Sequence, residues 1–299
     1  MSKSMWQGVI PAITTPFTED GQVDHAFLAR HAQWQVEAGC IGVVPLGSLG
    51  ESATLSFDEK VAVVRTLVKA LGDVPVIPGI GSLSTGEAVK LAQACEGEGA
   101  RGLMVLPAYA YSTDWHETRA HFAAVAGATK LPILLYNNPI AYKTDFTAEQ
   151  IVALADEFPQ VEAVKESSGD IRRLAAIQAL CGDRLVLMTG IDDAIVEGLA
   201  MGVTGWIAGQ VNAFPRESVV LFERARDGGY AAVKELYDWF LPTLRLDTIP
   251  KFVQAIKLTQ QMVGWGSERV RAPRLVLEGA EREHAVRVIE QAIKTRPEL

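Results

Sequence analysis

The chain alternates between short apolar runs and longer amphipathic segments, and this alternation limits its possible folds more than any other feature. Eight runs are rich in Val, Ile, Leu or Ala, and they span residues 8–13, 41–46, 75–79, 102–106, 132–136, 161–165, 185–189 and 204–208. Most of them lack the alternation of apolar and polar residues that is typical of a half-exposed strand. Continuous apolarity indicates parallel strands that are covered on both faces.

Segments with helical periodicity follow most of these runs. Residues 57–71 have a start signal in Ser56 and Glu59, which are spaced as a capping box. Further helices are predicted at residues 84–97, 147–158, 171–180 and 194–201. Repeated strand–helix units of this kind predict the α/β class and a closed (β/α)8 TIM barrel.

A doubly wound open sheet is the alternative fold. Such a sheet often binds a dinucleotide through a loop with three glycines. Here Gly79-Ile80-Gly81 is followed by Ser84, where the third glycine would stand, so the dinucleotide pattern fails.

The strand pattern stops after about residue 215. Residues 218–226, 230–244, 249–263 and 281–295 all have helical patterns, and no low-complexity linker separates them from the preceding part. We therefore expect a barrel over residues 1–225 and a helical C-terminal extension over residues 226–299 that packs on the barrel.

Composition excludes several classes of protein. The net charge is −8 and the pI about 5.3, which argues against binding to nucleic acid. No stretch approaches the roughly 18–20 apolar residues of a membrane span, and no signal peptide is evident, so we expect a cytoplasmic protein without a membrane partner. Cys40, Cys95 and Cys181 are far apart, which predicts reduced thiols in the core. The five histidines show no metal-ligand spacing, so no metal site is expected.

Lys165 ends an otherwise apolar strand, at the end of the barrel where active sites lie. A lysine in a partly dry pocket loses its preference for the charged form. Its free amine can then attack a carbonyl carbon and form an imine that accepts electrons. The alternative is a lysine that points to solvent from the strand end.

Two other features lie at the same end of the predicted barrel. Tyr136 ends the preceding strand, where its phenol could transfer protons; alternatively it is a rim aromatic that packs against a loop. Residues 47–50 form a glycine-flanked turn whose backbone N–H groups could bind a carboxylate, or which is only a plain connecting turn.

Three ordered motifs resemble those of the dihydrodipicolinate synthase / N-acetylneuraminate lyase family. They are Gly-Ser-Leu-Gly-Glu-Ser at residues 47–52, Tyr136-Asn137-x-Pro139, and Val-Lys-Glu-Ser-Ser-Gly-Asp at residues 164–170. The resemblance covers nearly the whole chain, from about Gly8 to the final helices.

The resemblance implies catalytic roles for four residues. Lys165 would form the Schiff base with the substrate, and Tyr136 would be the proton-relay phenol. Ser48 would link this phenol to a second tyrosine that comes from a neighbouring subunit, a position that Tyr109 fits. Family members are commonly homotetramers, so a homotetramer is expected.

The resemblance also implies substrate-binding positions. The backbone at Ser48 and Leu49 would bind the substrate carboxylate, and Gly190 and Ile207 would line the pocket. No cofactor is expected, because the lysine itself supplies the electron-accepting imine.

Two departures from the family pattern, together with the composition near strand 8, bear on the substrate. Leu49 stands where members often have threonine, so one side-chain hydrogen bond to the carboxylate is lost. Ala141 stands where dihydrodipicolinate synthases carry an arginine for the second substrate, so a bidentate contact is missing. The sialic-acid lyases hold a sugar chain with polar residues around strand 8, and here that region offers little beyond Gln210 and Asn212.

Residues 136–142 resemble the branch of 1-pyrroline-4-hydroxy-2-carboxylate deaminases, which act in hydroxyproline breakdown. We therefore expect a small 2-oxo acid or cyclic imine as substrate, with 2-oxoglutarate semialdehyde and ammonia as products. One alternative is an aldolase that releases pyruvate from a 2-keto-3-deoxy sugar acid. A non-catalytic ligand-binding barrel is another, and the presence of both Lys165 and Tyr136 argues against it.

Overall fold

The computed structural model describes residues 3–108 and 114–299. Seven parallel strands form one curled sheet in the order β1-β7-β6-β5-β4-β3-β2. The strands are β1 (Gly8–Pro11), β2 (Gly79–Ile80), β3 (Leu103–Val105), β4 (Ile133–Asn137), β5 (Val161–Glu166), β6 (Val186–Thr189) and β7 (Gly205–Ala208). The predicted α/β barrel is thus confirmed.

The segment predicted as the second strand, residues 41–46, forms isolated bridges and not a regular strand. Val44 pairs in parallel with Ala12, and Val43 pairs in parallel with Val76. Val44 N donates to Pro11 O at 2.8 Å, so the segment is hydrogen-bonded to the chain that continues β1. It therefore lies between β1 and the segment leading into β2, and it closes the barrel between the two ends of the seven-stranded sheet.

Eleven α-helices lie in the described part of the chain. They are α1 (His25–Glu37), α2 (Phe57–Leu71), α3 (Thr85–Gly97), α4 (Trp115–Gly127), α5 (Pro139–Tyr142), α6 (Ala148–Glu157), α7 (Arg172–Cys181), α8 (Ile195–Ala200), α9 (Pro215–Leu244), α10 (Phe252–Met262) and α11 (Gly279–Lys294). The predicted capping box at α2 is confirmed, because Glu59 N donates to Ser56 Oγ while Ser56 N donates to the Glu59 carboxylate. No helix of the described residues is long and apolar enough to cross a membrane.

Helices α1 and α4 are present in the structure, but the periodicity of the sequence does not predict them. The buried face of α1 includes His31 and Gln35, and that of α4 includes Thr118 and His121. Polar residues on a buried face weaken the apolar stripe that identifies an amphipathic helix. These two helices are therefore hard to recognise from the sequence.

The C-terminal helices continue from the barrel without a linker. Helix α9 runs through residues 225 and 226, where the sequence suggests a boundary, and it breaks its regular geometry only at Gly229, which has φ 66° and ψ −167°. Its apolar face shares a cluster of buried side chains with Val9 of β1 and Trp206 of β7. Trp239 Nε1 of α9 donates to Ala292 O of α11 at 3.1 Å, so the last helix packs on α9.

The three cysteines are free thiols. Cys40 and Cys95 are buried, and burial raises the pKa of each thiol to about 12. Cys181 lies at the end of α7 and is only half-buried, because the helix ends at the barrel surface. The prediction of core thiols is therefore confirmed for Cys40 and Cys95, while Cys181 packs against the core from a partly exposed position.

A buried ion pair joins the turn after residue 46 to helix α10. Glu51 and Lys257 are 0% and 1% exposed, and Lys257 Nζ lies 2.5 Å from Glu51 Oε1. Arg271 N also donates to Glu51 Oε2, at 3.0 Å. Burial lowers the pKa of Lys257 to about 8, against the opposing effect of the Glu51 charge. The pair fixes residues 47–51 against the C-terminal helices, so Glu51 has a structural role.

Replacing Lys257 with methionine should destabilise the fold by about 3 kcal/mol, because Glu51 would keep a buried charge without its closest partner. The free energy of unfolding in urea measures this change. Lys251→Met is the matched control, since Lys251 pairs with Glu281 at the surface and its loss should cost less than about 1 kcal/mol. Equal stability of Lys257→Met and the wild type would contradict the proposed role of the pair.

Candidate active site

A cavity of about 450 Å³ opens at the carboxyl ends of the strands. Most of its lining is apolar, with a few polar groups at defined positions, which is typical of sites for small molecules. The lining residues are Ala12, Gly47, Ser48, Leu49, Met104, Tyr136, Asn138, Ile140, Ala141, Lys143, Lys165, Ser167, Gly190, Ile191, Ile207, Gly209, Asp247, Thr248, Ile249, Pro250 and Phe252.

Lys165 and Tyr136 lie side by side in this cavity. They are register partners on β5 and β4, and they are 5% and 6% exposed. Lys165 Nζ lies 4.1 Å from the centre of the Tyr136 ring. The alternative of a lysine pointing to bulk solvent does not agree with this burial. An amine in this position can reach a carbonyl or imine carbon that enters the cavity.

The Tyr136 hydroxyl is held by a residue that the motif leaves variable. Asn138 Nδ2 donates to Tyr136 Oη at 3.0 Å, while Asn138 Oδ1 accepts from Ala141 N at 3.0 Å and so caps helix α5. One side chain thus starts the helix and orients the phenol. An asparagine directly before Pro139 is a recognisable helix start, and this signal was available in the sequence.

Ser48 has a phenol partner within the same chain. Its Oγ is hydrogen-bonded to the hydroxyl of Tyr142, whose ring also packs edge-to-face on Tyr136 at a centroid distance of 5.8 Å. Tyr109, predicted as the second tyrosine of the relay, lies outside the described residues. The structure therefore connects Ser48 with Tyr142, a residue to which the motif analysis gave no role.

The four predicted substrate-binding positions, Ser48, Leu49, Gly190 and Ile207, all line the cavity. Leu49 and Ile207 are buried apolar side chains at the turn after residue 46 and on β7. Gly190 follows β6, and a Cβ at this position would overlap Lys165 Cε and Ser167 Oγ. Only glycine therefore leaves room for the lysine at its present place.

One side of the cavity comes from the C-terminal extension. Residues 247–250 connect α9 to α10, and with Phe252 they cover the mouth of the barrel. Sequence reasoning did not identify this contribution, because the residues lie far along the chain from the strand ends. Pro250 lies inside the segment predicted as a helix over residues 249–263, and the observed helix α10 begins only at Phe252.

Two carboxylates lie near Lys165, on the side away from Tyr136. Asp192 is fully buried and accepts hydrogen bonds from Trp206 Nε1 at 3.1 Å, Gly209 N at 3.0 Å and Gln210 N at 2.7 Å. Burial raises the pKa of Asp192 to about 6, although these donors act in the opposite direction. Burial, and then the charge of Asp192, raise the pKa of Asp247 well above its usual value.

Gln210 and Asn212 do not line the cavity. Both are fully buried, and Asn212 Oδ1 accepts from Gln35 Nε2 at 3.1 Å inside the molecule. The region after β7 therefore offers no side-chain amide to a sugar chain. Among residues 3–108 and 114–299, no group of three His, Cys, Asp or Glu side chains could hold a metal ion.

Comparison with known proteins identifies relatives that match nearly the whole chain. The profile of the Dihydrodipicolinate synthetase family matches residues 5–292. The chain is 38% identical over 272 residues to the 4-hydroxy-tetrahydrodipicolinate synthase of Rhizobium meliloti (strain 1021), covering 91% of this chain and 92% of that one. It is 36% identical over 270 residues to the synthase of Agrobacterium fabrum, covering 90% and 92%.

Solved structures of the same family have a fold similar to that of this chain. The 4-hydroxy-tetrahydrodipicolinate synthase of Methylacidiphilum fumariolicum SolV superposes with a TM-score of 0.92 at 27% identity, and the match covers 96% of each chain. The prophage protein YagE of E. coli K12, solved in complex with pyruvate, gives a TM-score of 0.90 at 27% identity, covering 96% of this chain and 98% of that one.

Replacing Gly190 with alanine should displace the flexible Lys165 side chain and leave the barrel folded, because the added Cβ overlaps Lys165 Cε. Displacement of the Lys165 amine by about 1 Å should slow the expected imine formation with pyruvate about a hundred-fold. The time course of borohydride inactivation with pyruvate measures this rate. Gly86→Ala on α3 is the control, since a Cβ there meets no atom within 4 Å. Equal rates in both variants would contradict the assigned geometry.

Proposed function

The chain belongs to the dihydrodipicolinate synthetase family, and we propose that it is a Schiff-base-forming deaminase of 1-pyrroline-4-hydroxy-2-carboxylate. The observation that supports this proposal most is the pairing of the Lys165 amine with the Tyr136 phenol inside a small, largely apolar cavity. Ala141 lines the same cavity at the position where a synthase would present arginine. The site therefore suits a single substrate with one carboxylate better than the two carboxylate-bearing substrates of a synthase.

The first stage of the proposed reaction is an exchange of imines. The backbone N–H groups at Ser48 and Leu49 bind the substrate carboxylate, and Lys165 Nζ attacks C2 of the ring C=N bond. The ring nitrogen leaves C2 as a primary amine, so the ring opens and C2 becomes bonded to Lys165. Tyr136 transfers the protons, and the hydrogen bond from Asn138 keeps its hydroxyl in place.

The second stage removes the hydroxyl group and the nitrogen. The protein-bound imine makes the C3 proton acidic, and its loss gives an enamine. The enamine electron pair then forms the C3–C4 double bond as the C4 hydroxyl leaves as water. Proton shifts move the unsaturation to C5 as an imine, whose hydrolysis releases ammonia. Hydrolysis at Lys165 releases 2-oxoglutarate semialdehyde, so one water is lost and two are taken up.

The aldolase alternative shares its first steps with this reaction. YagE was solved with pyruvate, so pyruvate chemistry in a similar barrel supports an enzyme that cleaves a 2-keto-3-deoxy sugar acid. Against it, Gln210 and Asn212 are buried outside the cavity, so the region after β7 offers no side-chain amide to a sugar chain. Synthase activity, which the names of the relatives suggest, is disfavoured by Ala141.

Cytoplasmic location and homotetrameric assembly form part of the same proposal. Both rest on the family membership, since the structure contains one chain. In a homotetramer, a neighbouring subunit could bring Tyr109 to Ser48, as the family resemblance implies.

Ammonia release from 1-pyrroline-4-hydroxy-2-carboxylate tests the proposed function. The wild-type protein should release one ammonia per substrate, and a coupled assay should detect no pyruvate from 2-keto-3-deoxy sugar acids. Tyr136→Phe should remain folded and lose turnover by about 10²–10⁴-fold, because the proton relay is removed. Tyr230→Phe, at a half-exposed tyrosine outside the cavity, is the control. Pyruvate without ammonia would contradict the deaminase and favour the aldolase.

A further inference from the structure

Asp247 occupies a place in the cavity that the reaction described above leaves without a role. It ends a short 3-10 helix, Arg245–Asp247, directly after α9, and its side chain lines the cavity together with Lys165. A Cβ at residue 209 would overlap Asp247 Oδ1, so glycine at this position lets the carboxyl group approach the end of β7.

The strand order puts Asp247 and Tyr136 on different sides of Lys165. Tyr136 comes from β4, which neighbours β5 on one side. Asp247 lies against Gly209 after β7, beyond β6 on the other side of β5. An imine carbon bound to Lys165 would therefore have a phenol on one side and a carboxyl group on the other.

The two carboxyl groups on that side have different environments. Asp192 is fully buried and accepts three N–H donors, an arrangement that suits a carboxylate. Asp247 is partly exposed as a residue, while its carboxyl group is withdrawn from bulk solvent in the cavity that it lines. Two like charges at close range disfavour ionisation of both groups, so the proton belongs to the one with fewer donors. The raised pKa of Asp247 agrees with this assignment.

A second observation indicates that this side of the cavity binds a polar ligand. Ser167 lines the cavity, is 2% exposed, and its Oγ has no hydrogen-bond partner among the described residues. It lies next to Lys165, since a Cβ at residue 190 would overlap atoms of both side chains. A buried hydroxyl without a partner is costly unless a ligand or water satisfies it.

We propose that Asp247 is the general acid that protonates the C4 hydroxyl of the Lys165-bound substrate as this hydroxyl leaves. The inference rests on the deaminase function proposed above. In this step the enamine pair forms the C3–C4 double bond and the C4–O bond breaks. The Asp247 carboxyl proton goes to the departing oxygen, which leaves as water. Asp247 regains a proton when C5 is later deprotonated, so the carboxyl group is unchanged at the end of the cycle.

The assignment gives two parts of the reaction to different side chains. Imine formation and proton loss at C3 need the amine and the phenol, whereas C4–O cleavage needs the carboxyl proton. The charged groups that act on Asp247 are Lys165, Asp192 and Asp193. Because the acid must be protonated, ammonia release should fall as the pH rises above the pKa of Asp247.

The variant Asp247→Asn tests this role, since it keeps the size of the side chain and removes the acidic proton. We expect ammonia release from 1-pyrroline-4-hydroxy-2-carboxylate to fall about a hundred-fold or more. Exchange of the pyruvate methyl protons in D₂O, followed by NMR, should remain within a few-fold of the wild type, because it needs only the imine and the phenol. The residual activity should lose the decline at high pH.

Asp227→Asn is the control, because Asp227 is an exposed carboxylate on α9 that lies outside the cavity and pairs with Arg226 at 2.7 Å. It should keep both activities. Normal ammonia release by Asp247→Asn would overturn the assignment, and so would loss of methyl exchange together with ammonia release, which would indicate a structural role. Absence of ammonia from the wild type would instead overturn the proposed function, and the assignment with it.

Discussion

The pairing of β4 with β5 determines the geometry of the site. It places the Lys165 amine 4.1 Å from the centre of the Tyr136 ring, and both residues are nearly buried in the cavity. The register of two strands is set by the pattern of their buried apolar residues, because a shift by one residue would turn each side chain to the opposite face. The amine and the phenol therefore face the same cavity because the barrel as a whole specifies their register.

The C-terminal helices contribute to the cavity that the ends of the barrel strands form. The loop between α9 and α10 supplies residues 247–250 to the cavity, and the Glu51–Lys257 pair joins the turn after residue 46 to α10. A buried ion pair with α10 thus holds the turn that is proposed to bind the substrate carboxylate. The cavity depends on both parts of the chain, and the continuous helix α9 links them.

Much of the fold could be predicted from the sequence, because local signals and the global fold agree. The capping box at Ser56 and Glu59 identifies the start of α2, and the apolar runs identify most strands. Residues 41–46 read as a regular strand but form only bridges, since a pattern of apolar residues does not specify hydrogen bonding.

Part of the candidate site could also be predicted from the sequence. Lys165 and Tyr136 end apolar strands, so their place at the mouth of a barrel follows from topology. Asp247 and Tyr142 reach the site from a loop after a helix and from the end of a four-residue helix. Their contacts with Gly209 and Ser48 are tertiary, and no periodicity or local motif encodes them.

The most direct test of the central claim is to identify the residue that becomes covalently bonded to a substrate. The protein would be incubated with pyruvate or with the pyrroline, reduced with borohydride, digested, and analysed by peptide mass spectrometry. The account predicts a single reduced adduct on Lys165, and none on the buried Lys257, whose amine lies outside the cavity. An unmodified Lys165 in the presence of a substrate that is turned over would contradict it.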